Sequence, residues 1–510
     1  MTSAATPLVP AVYYLRILPE IVLTVFGVII MLIEGPARHV GRGRTTRWVA
    51  LVGALAAFAA VWIQSRHPGY AFGHLFRVDG FTVFFGFLLT AVATVIILMA
   101  MDYLPQQHLD RGEFYALILF GTVGMGFMAG ATELILMFIA LEISSISTYI
   151  LAGYRRHAPK STEASLKYLL LGSFATAFFL YGIALIYGAT GTTQISAIAR
   201  ALAHPGAGAA VQTGQIVLLG AALMFIGLGF KVSAVPFQVW TPDVYEGAPA
   251  PVTAFMSAAP KAAAFAIFLR IFTVALAANS HAWFWLLWVA ALLSMTVGNV
   301  AALLQNNFKR MLAYSSIAQA GYILVAFAAL GADGVSAVMF YLAAYAAMNI
   351  GAFAVVSHFA HRDERYVDIR NYAGLGFRAP WPAFCLSVFL FSLIGVPLTG
   401  GFFGKVYIFR AALHSHLVAL TVIGLLNSAL AAYYYLRPVV AMYMREAPVL
   451  PALAPGAPAG NIEPPIPPTA MSGPIAVVLA LCVAVVIWLG VFPGSVLQYA
   501  LRSARHLLHG

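Results

Sequence analysis

Four lysines and one glutamate stand where a charge is expensive. Lys231 and Lys261 lie in FIGLGFKVSAVPFQVWTPDVYEGAPAPVTAFMSAAPK (residues 225–261), Lys167 and Lys405 lie in other apolar runs, and Glu142 sits within LEISSISTYIL. A charge in hydrocarbon costs roughly 2.5 to 3.5 kcal/mol even on the lenient insertion scale, so each of these needs a partner or a task. Lys231 is roughly 17 residues into its apolar segment, near the bilayer centre at about 1.5 Å per residue. Glu142 is about ten residues into its own segment, at similar depth. The two are therefore expected to meet as an exchangeable pair. Beside a carboxylate an amine keeps its proton, and apart from it in an apolar setting the amine tends to give it up. One ion pair about 4 Å apart is worth roughly 4 kcal/mol at an effective dielectric of about 20. That matches the roughly 4 to 5 kcal/mol, at about 1.36 kcal/mol per pKa unit, that switches an amine near neutral pH. Moving Glu142 would load or unload a proton on Lys231; a static structural ion pair is the alternative these residues leave open.

The other lysines extend the same chemistry. Lys261 is about ten residues into its segment, again deep. Lys405 follows the Val-Pro pair of IGVPLTGGFFGK and is expected to point towards the far half of its span. Lys167 lies three residues after Ala164, close to a span end, where snorkelling to the interface is a rival explanation. Glu133 is expected at a span end, and Asp243 and Glu246 of TPDVYEGAP at the mouth of the broken segment. Tyr314, Ser315, Ser316, Gln319, Tyr345 and Asn349 are polar groups available to hold bridging waters between the lysines.

The elements that position these groups are membrane helices. Of 510 residues, 62% are hydrophobic and 9% charged, which excludes a soluble globular protein and indicates an all-α polytopic membrane protein. The net charge of +11 is spread in short clusters between apolar segments, with no stripe or tail to bind nucleic acid. Cys385 and Cys482 lie inside apolar segments, so no disulfide framework is indicated. The first apolar run has no basic region ahead of it and reads as a permanent span. A window of about 19 residues gives about 14 transmembrane helices. Pro236, Pro242, Pro249 and Pro251 interrupt the stretch between Lys231 and Lys261, and Pro397 lies within the twelfth span, so the seventh and twelfth helices are expected to be discontinuous. In a bilayer such breaks survive only where protein or a wet cavity satisfies the freed backbone groups. Charge beside a break at membrane depth marks a transport pathway.

Basic residues alternate with the loops. Arg38, Arg42, Arg44 and Arg47 fall in the first loop, Arg155, Arg156 and Lys160 in the fifth, and Arg362, Arg365, Arg370 and Arg378 in the eleventh. Odd-numbered loops are therefore expected in the cytoplasm and both termini in the periplasm. LEISSISTYIL, from Leu141, is echoed by LAYSSIAQAGYIL, from Leu312, and the Val-Pro break at residues 233–237 by that at 394–405. Both echoes are five spans apart. An odd offset reverses direction across the membrane, giving two inverted five-helix repeats. The expected division is an N-terminal three-helix segment (1–112), a first repeat (113–277), a second repeat (278–443), and a Pro-rich loop with the last helix (444–510). That loop, with EPPIPP, reads as a passive extended linker, and the short C-terminal tail LRSARHLLHG shows no sign of a soluble domain. The sequence shows no phosphate loop, metal-spaced histidine cluster, haem-ligand, flavin or nicotinamide motif.

The motifs LEISSISTYILAGYRR, KSTEASLKYLLLGSFATAFFLYGIALIYG, GFKVSAVPFQVWTPDVYEGAPAPVTAFMSAAPK, NNFKRMLAYSSIA and GVPLTGGFFGKVYIF occur in that order between about residues 113 and 443. Together the chain resembles the antiporter-like subunit N of bacterial respiratory complex I, the NADH-quinone oxidoreductase. The resemblance implies a proton-translocating subunit of the membrane arm in the bacterial inner membrane, partnered by other membrane-arm subunits including its sister antiporter-like subunits. It implies no cofactor on this chain, with FMN, iron-sulfur clusters and quinone chemistry on other subunits. By motif match it places Glu142 as the fifth-helix glutamate, Lys231 at the seventh-helix break, Lys261 in the eighth helix and Lys405 in the twelfth. Members often carry histidine where this chain has Gln319, and because glutamine does not titrate, a water-mediated path is expected there. Two other functions fit the residues less well: a subunit of a multi-subunit cation/proton antiporter, and a non-pumping membrane scaffold.

Overall fold

The computed structural model describes residues 10–35, 43–203, 210–360, 364–446 and 471–509. Arg38, Arg42, Arg362 and most of the Pro-rich linker, including EPPIPP, lie outside the described residues. The chain opens with α1 (Ala11–Arg16), α2 (Leu18–Glu34) and α3 (Gly43–Ser65), then a small hairpin of β1 (Gly69–Ala71) and β2 (Phe76–Val78). Four long helices follow, α4 (Gly80–Gln106), α5 (Gly112–Gly130), α6 (Leu134–Ala152) and α7 (Pro159–Thr190), then the short α8 (Ile195–Ala203). The first broken span is α9 (Ala210–Val232) with α10 (Thr241–Gly247), and it leads into α11 (Ala250–Arg270). Next come α12 (Ser280–Leu303), α13 (Phe308–Ala328), α14 (Gly331–Phe359) and the one-turn α15 (Leu375–Arg378). The second broken span is α16 (Pro380–Ile394) with α17 (Gly400–His414), before α18 (Val418–Met444), α19 (Gly473–Val491) and α20 (Pro493–His509).

Twelve helices among the described residues are long and apolar enough to cross a membrane. The expected fourteen also include α2, 17 residues long, and the broken span of α16 and α17. Two elements go beyond what the sequence showed. The hairpin was unforeseen because its strands have three residues each, too few to show a period-two pattern. The last span ends at Val491, and the tail forms α20, because Pro493 opens a new helix whose apolar and basic residues segregate.

Helix starts are fixed by side-chain caps. Asp79 accepts from Thr82 N (2.8 Å), Glu133 from Leu136 N (2.7 Å) and Asn307 from Arg310 N (3.1 Å). Glu133, expected only at a span end, is thus a helix cap. The loops sort into two groups. β2 bridges to Ala131 and Glu133 to Gln194, joining the loops before α4, α6 and α8, whereas Asn307 bridges to Asp368 on the other side. This second side carries the arginine and lysine clusters and is here the basic face.

Burial places the lysine-bearing elements at the centre. Every residue of α11 is buried, and α13 and α14 are nearly so, while α3, α7, α18 and α19 turn an apolar face outwards. Helices apolar all round belong in such a core. Close approach at the centre requires small residues: a Cβ on Gly298 of α12 would meet the Ala318 backbone of α13 at 2.6 Å.

Candidate functional site

Lys231 occupies the last turn of α9, immediately before the break. The break is held by replacement hydrogen bonds. Trp240 Nε1 donates to the Phe230 carbonyl (3.0 Å), Ser294 Oγ accepts from Val235 N (2.9 Å), and Thr241 Oγ1 donates to Ser233 Oγ (2.8 Å). Ser233 itself takes a positive φ of 63° to turn the chain. The freed polar groups of the interrupted helix are thus satisfied inside the protein.

The ammonium of Lys231 donates to Ser145 Oγ (2.7 Å) and Tyr149 OH (3.1 Å) of α6. It lies 4.9 Å from the Tyr149 ring centre and 5.7 Å from that of Tyr168, a cation–π setting. The direct ion pair expected with Glu142 is not formed. Glu142, Ser145 and Tyr149 are spaced i, i+3 and i+7, hence share one helix face. The lysine sits at the level of the two hydroxyls, which lie about 4.5 and about 10.5 Å along the axis from Glu142. Glu142 remains within electrostatic reach of Lys231, and its Oε1 is buried without a hydrogen-bond partner. The pair is present as a separated state.

From Lys231 a series of rings leads to the next lysine. Tyr168 stacks on Trp240 with centres 4.4 Å apart, Trp240 meets Tyr245 edge-on at 6.1 Å, and the Lys261 ammonium lies 5.9 Å from the Tyr245 ring. Lys261 donates to Ser316 Oγ (2.5 Å) and the Ser316 carbonyl (3.2 Å) of α13, and Tyr345 OH donates to the same hydroxyl (2.7 Å). One turn before Lys261, Ser257 Oγ accepts from Asn349 Nδ2 (2.6 Å), and Asn349 Oδ1 is buried without a partner.

The residue before Ser316 on α13 opens a second series of polar contacts. The neighbouring Ser315 hydroxyl bonds Tyr435 OH; Gln319 Nε2 donates to that phenol (3.0 Å) and to the Leu393 carbonyl (3.4 Å), and Tyr341 OH donates to Gln319 Oε1. Lys405 closes the series by donating to the carbonyls of Leu393 (3.0 Å) and Ile394 (2.8 Å) and to Ser428 Oγ (2.8 Å). Lys405 therefore does not point into the far half of its span. It reaches back across the break, because the last carbonyls of α16 have no intrahelical donor and attract a cation. Gln319 is a direct hydrogen-bonded link in this chain, between a phenol and a backbone carbonyl.

Lys167 is set apart from these. Its side chain is 40% exposed and is paired with Glu163 and Asp243, each at 2.7 Å. It belongs to a network on the basic face in which Arg310 bonds Asp243 (2.8 Å) and Glu246 (3.1 Å), and Lys160 bonds Glu246 (2.8 Å). Burial alone would raise the carboxyls of Asp243 and Glu246, but their cationic partners, Lys167 and Arg310 for Asp243 and Lys160 and Arg310 for Glu246, hold both below the usual carboxylate range. Among the described residues no group of three or more His, Cys, Asp or Glu is placed to hold a metal. Both cysteines are free and buried.

Sequence reasoning missed Ser145, Tyr149 and Tyr168 around Lys231, and Ser428 and Tyr435 near Lys405. The first two were recoverable from their helical spacing to Glu142; the others come from distant segments and carry no local signal.

A family model described as "NADH:quinone oxidoreductase/Mrp antiporter, TM" matches residues 131–431. The NADH-quinone oxidoreductase subunit N 2 of Koribacter versatilis is 51% identical over 98% of both chains. The subunit N of Trichlorobacter lovleyi is 43% identical over 96% of both. Among solved structures, a chain of respiratory complex I from Thermus thermophilus with bound aureothin is 35% identical over 94% of this chain and 98% of that one, with a TM-score of 0.76. A chain of the Mrp complex from Dietzia shares the fold at 21% identity, over 98% of both chains, with a TM-score of 0.81.

Proposed function

This chain belongs to the subunit N family of NADH-quinone oxidoreductases, and from that premise we propose that Glu142, Lys231, Lys261 and Lys405 carry the protons it translocates. As a membrane-arm subunit of a proton-translocating complex I it works beside other membrane-arm subunits of that assembly. The observation that carries the residue assignment is the pair of contact series that joins Lys231 to Lys261 through rings and leads from the neighbouring residue of α13 to Lys405 through hydrogen bonds. The first runs from Lys231 through Tyr168, Trp240 and Tyr245 to Lys261 and its acceptor Ser316, and the second from the adjacent Ser315 through Tyr435 and Gln319 to the Leu393 carbonyl, which Lys405 also bonds. A scaffold has no use for three buried ammonium groups, each carrying a desolvation cost.

In this reading Glu142 is the switch. Its approach to Lys231 competes with Ser145 and Tyr149 for the ammonium, and the outcome sets the field felt at Lys261. Lys261 and Lys405 pass protons along the hydroxyl and amide chain between them, with water completing the steps where no proton donor stands. Lys167 acts at the surface, in the charged network over α10, and not in the buried relay. FMN, iron-sulfur clusters and quinone belong to other subunits, and the driving event reaches this chain through its neighbours. The basic face is the cytoplasmic one and both termini are periplasmic, on the strength of the arginine and lysine clusters in odd-numbered loops. The divisions at 112/113, 277/278 and 443/444 separate three helices, two inverted repeats and a closing helix.

The test is quinone reduction by NADH, measured with proton uptake, in membranes carrying Glu142→Gln or Lys231→Met, with assembly verified on a native gel. Assembled complexes are expected to lose pumping, with or without quinone reduction. Full turnover with full pumping in both variants would reduce the constellation to structural contacts.

A further inference from the structure

Glu364 follows α14 in a loop, at a positive φ of 53°, yet is only 7% exposed. Its Oε1 accepts from Tyr103 OH (2.8 Å) and Ala250 N (2.9 Å), and its Oε2 from Lys309 Nζ and Arg155 Nη1 (both 2.9 Å). An ionised carboxylate offers about four lone-pair sites, so this one is saturated. Its donors come from α4, the loop before α7, the first residue of α11 and the start of α13. Lys309 has a second set of acceptors, the carbonyls of Glu246 (3.0 Å) and Ala248 (2.6 Å), where α10 ends. The Lys309–Glu364 pair therefore spans a seam: the cation satisfies the carbonyl end of the half-helix, and the anion satisfies the amide start of α11.

Tyr245 of α10 joins that seam to Lys261, its ring 5.9 Å from the ammonium. The half-helix α10 carries Asp243 and Glu246 towards the exposed network and Tyr245 towards the Lys261 ammonium. The Tyr245 hydroxyl is buried without a partner. Along α13, Lys309 and Ser316 are seven residues apart and share a face, so the clamp and the acceptor of Lys261 ride on one rigid rail. We propose that Glu364 is a positioning residue for proton loading: through Lys309 it clamps α10 against α11 and so sets the access of Lys261 to the basic face. This rests on the reading of Lys261 as a proton carrier.

The titratable and charged groups facing Glu364 are Tyr103, Arg155, Lys309, Glu246 and Tyr372. Burial would push the Glu364 carboxyl up, but Lys309 and Arg155 hold it below the usual carboxylate range, so it stays an anion at working pH. Glu364→Gln leaves Lys309 and Arg155 facing one another with no anion between them, and the seam loosens. A loading step that takes a proton from solution slows in proportion to proton concentration, about tenfold per pH unit where it limits turnover. General misfolding lowers activity alike at every pH.

The experiment is NADH-driven proton pumping by assembled complex in membrane vesicles, followed between about pH 6 and pH 8.5. Glu364→Gln is expected to pump within about twofold of the parent at the acid end and at least about fivefold below it at the alkaline end, with Glu364→Asp recovering part of the alkaline loss. A loss uniform across pH, or none, overturns the proposal. Lys261→Met is run in parallel: abolished pumping at every pH supports its role as carrier, whereas normal pumping removes that reading independently of Glu364. Should Glu364→Gln not assemble, Tyr103→Phe, which removes one donor and no charge, decides by the same profile.

Discussion

Removing the hydroxyls that hold Lys231 away from Glu142 should arrest the switch. Ser145 Oγ and Tyr149 OH accept from the ammonium at 2.7 and 3.1 Å. A hydrogen bond to a charged group contributes roughly 1.5 to 3 kcal/mol, so losing either shifts the balance between the hydroxyl-bound and carboxylate-bound lysine by about tenfold or more. A switch that turns over must visit both positions, so their populations in the parent are within a few kcal/mol of each other. Tyr149→Phe keeps the ring and its cation–π contact and deletes the weaker bond; pumping should fall about tenfold. Ser145→Ala with Tyr149→Phe deletes both bonds. The two share a partner and will not add strictly, yet the lysine should then remain with Glu142 and turnover fall about 100-fold. The assay is NADH-driven acidification of inverted vesicles, normalised to assembled complex. An assembled double variant pumping within about twofold of the parent would refute the reasoning, because the separated pair would then be incidental to turnover.

Lys405→Met removes the shortest donor from the Leu393 and Ile394 carbonyls and leaves them only the 3.4 Å bonds from Gln319 and Ser428, a loss of about 1 kcal/mol or more, so both pumping and the thermal midpoint of the purified complex should fall; unchanged values for both would remove Lys405 from break and path alike. Asp243, Glu246 and Glu364 have carboxyls held down in the fold. Their stabilisation is present above the unfolded carboxylate pKa of about 4 and is lost as pH falls through the lower folded values, so stability in detergent should be flat from about pH 5 to 8 and drop below about 4. Gly401→Ala would drive a Cβ into the Ser392 carbonyl across the second break, and no assembled complex is expected on a native gel.

Much of this architecture was legible in the sequence because its signals are strong ones. Apolar runs and paired Val-Pro breaks give the membrane helices and their discontinuities. Lys231, Lys261 and Lys405 stood out because burying an ammonium is costly wherever it occurs. What was not legible is three-dimensional. The length of a lysine side chain lets Lys405 turn back to α16, and nothing local distinguishes that from pointing forward. Glu142 was assigned the nearest deep cation, yet the depth of two helices leaves their offset along the axis open by a turn, which is the difference between an ion pair and two hydroxyl contacts. Glu364 stood in a polar loop beside Arg365 with the composition of a solvated turn, and only the fold reveals it as buried.

The cap on the second break has a consequence in stoichiometry. An ammonium carries three N–H groups, and Lys405 uses three acceptors, Leu393 O, Ile394 O and Ser428 Oγ. A neutral amine has two N–H groups and a lone pair. Once the proton departs, one acceptor is left without its hydrogen and the nitrogen turns a lone pair towards oxygen. A change in the charge of this one residue on α17 therefore alters the hydrogen bonding it shares with the end of α16 and with Ser428 of α18.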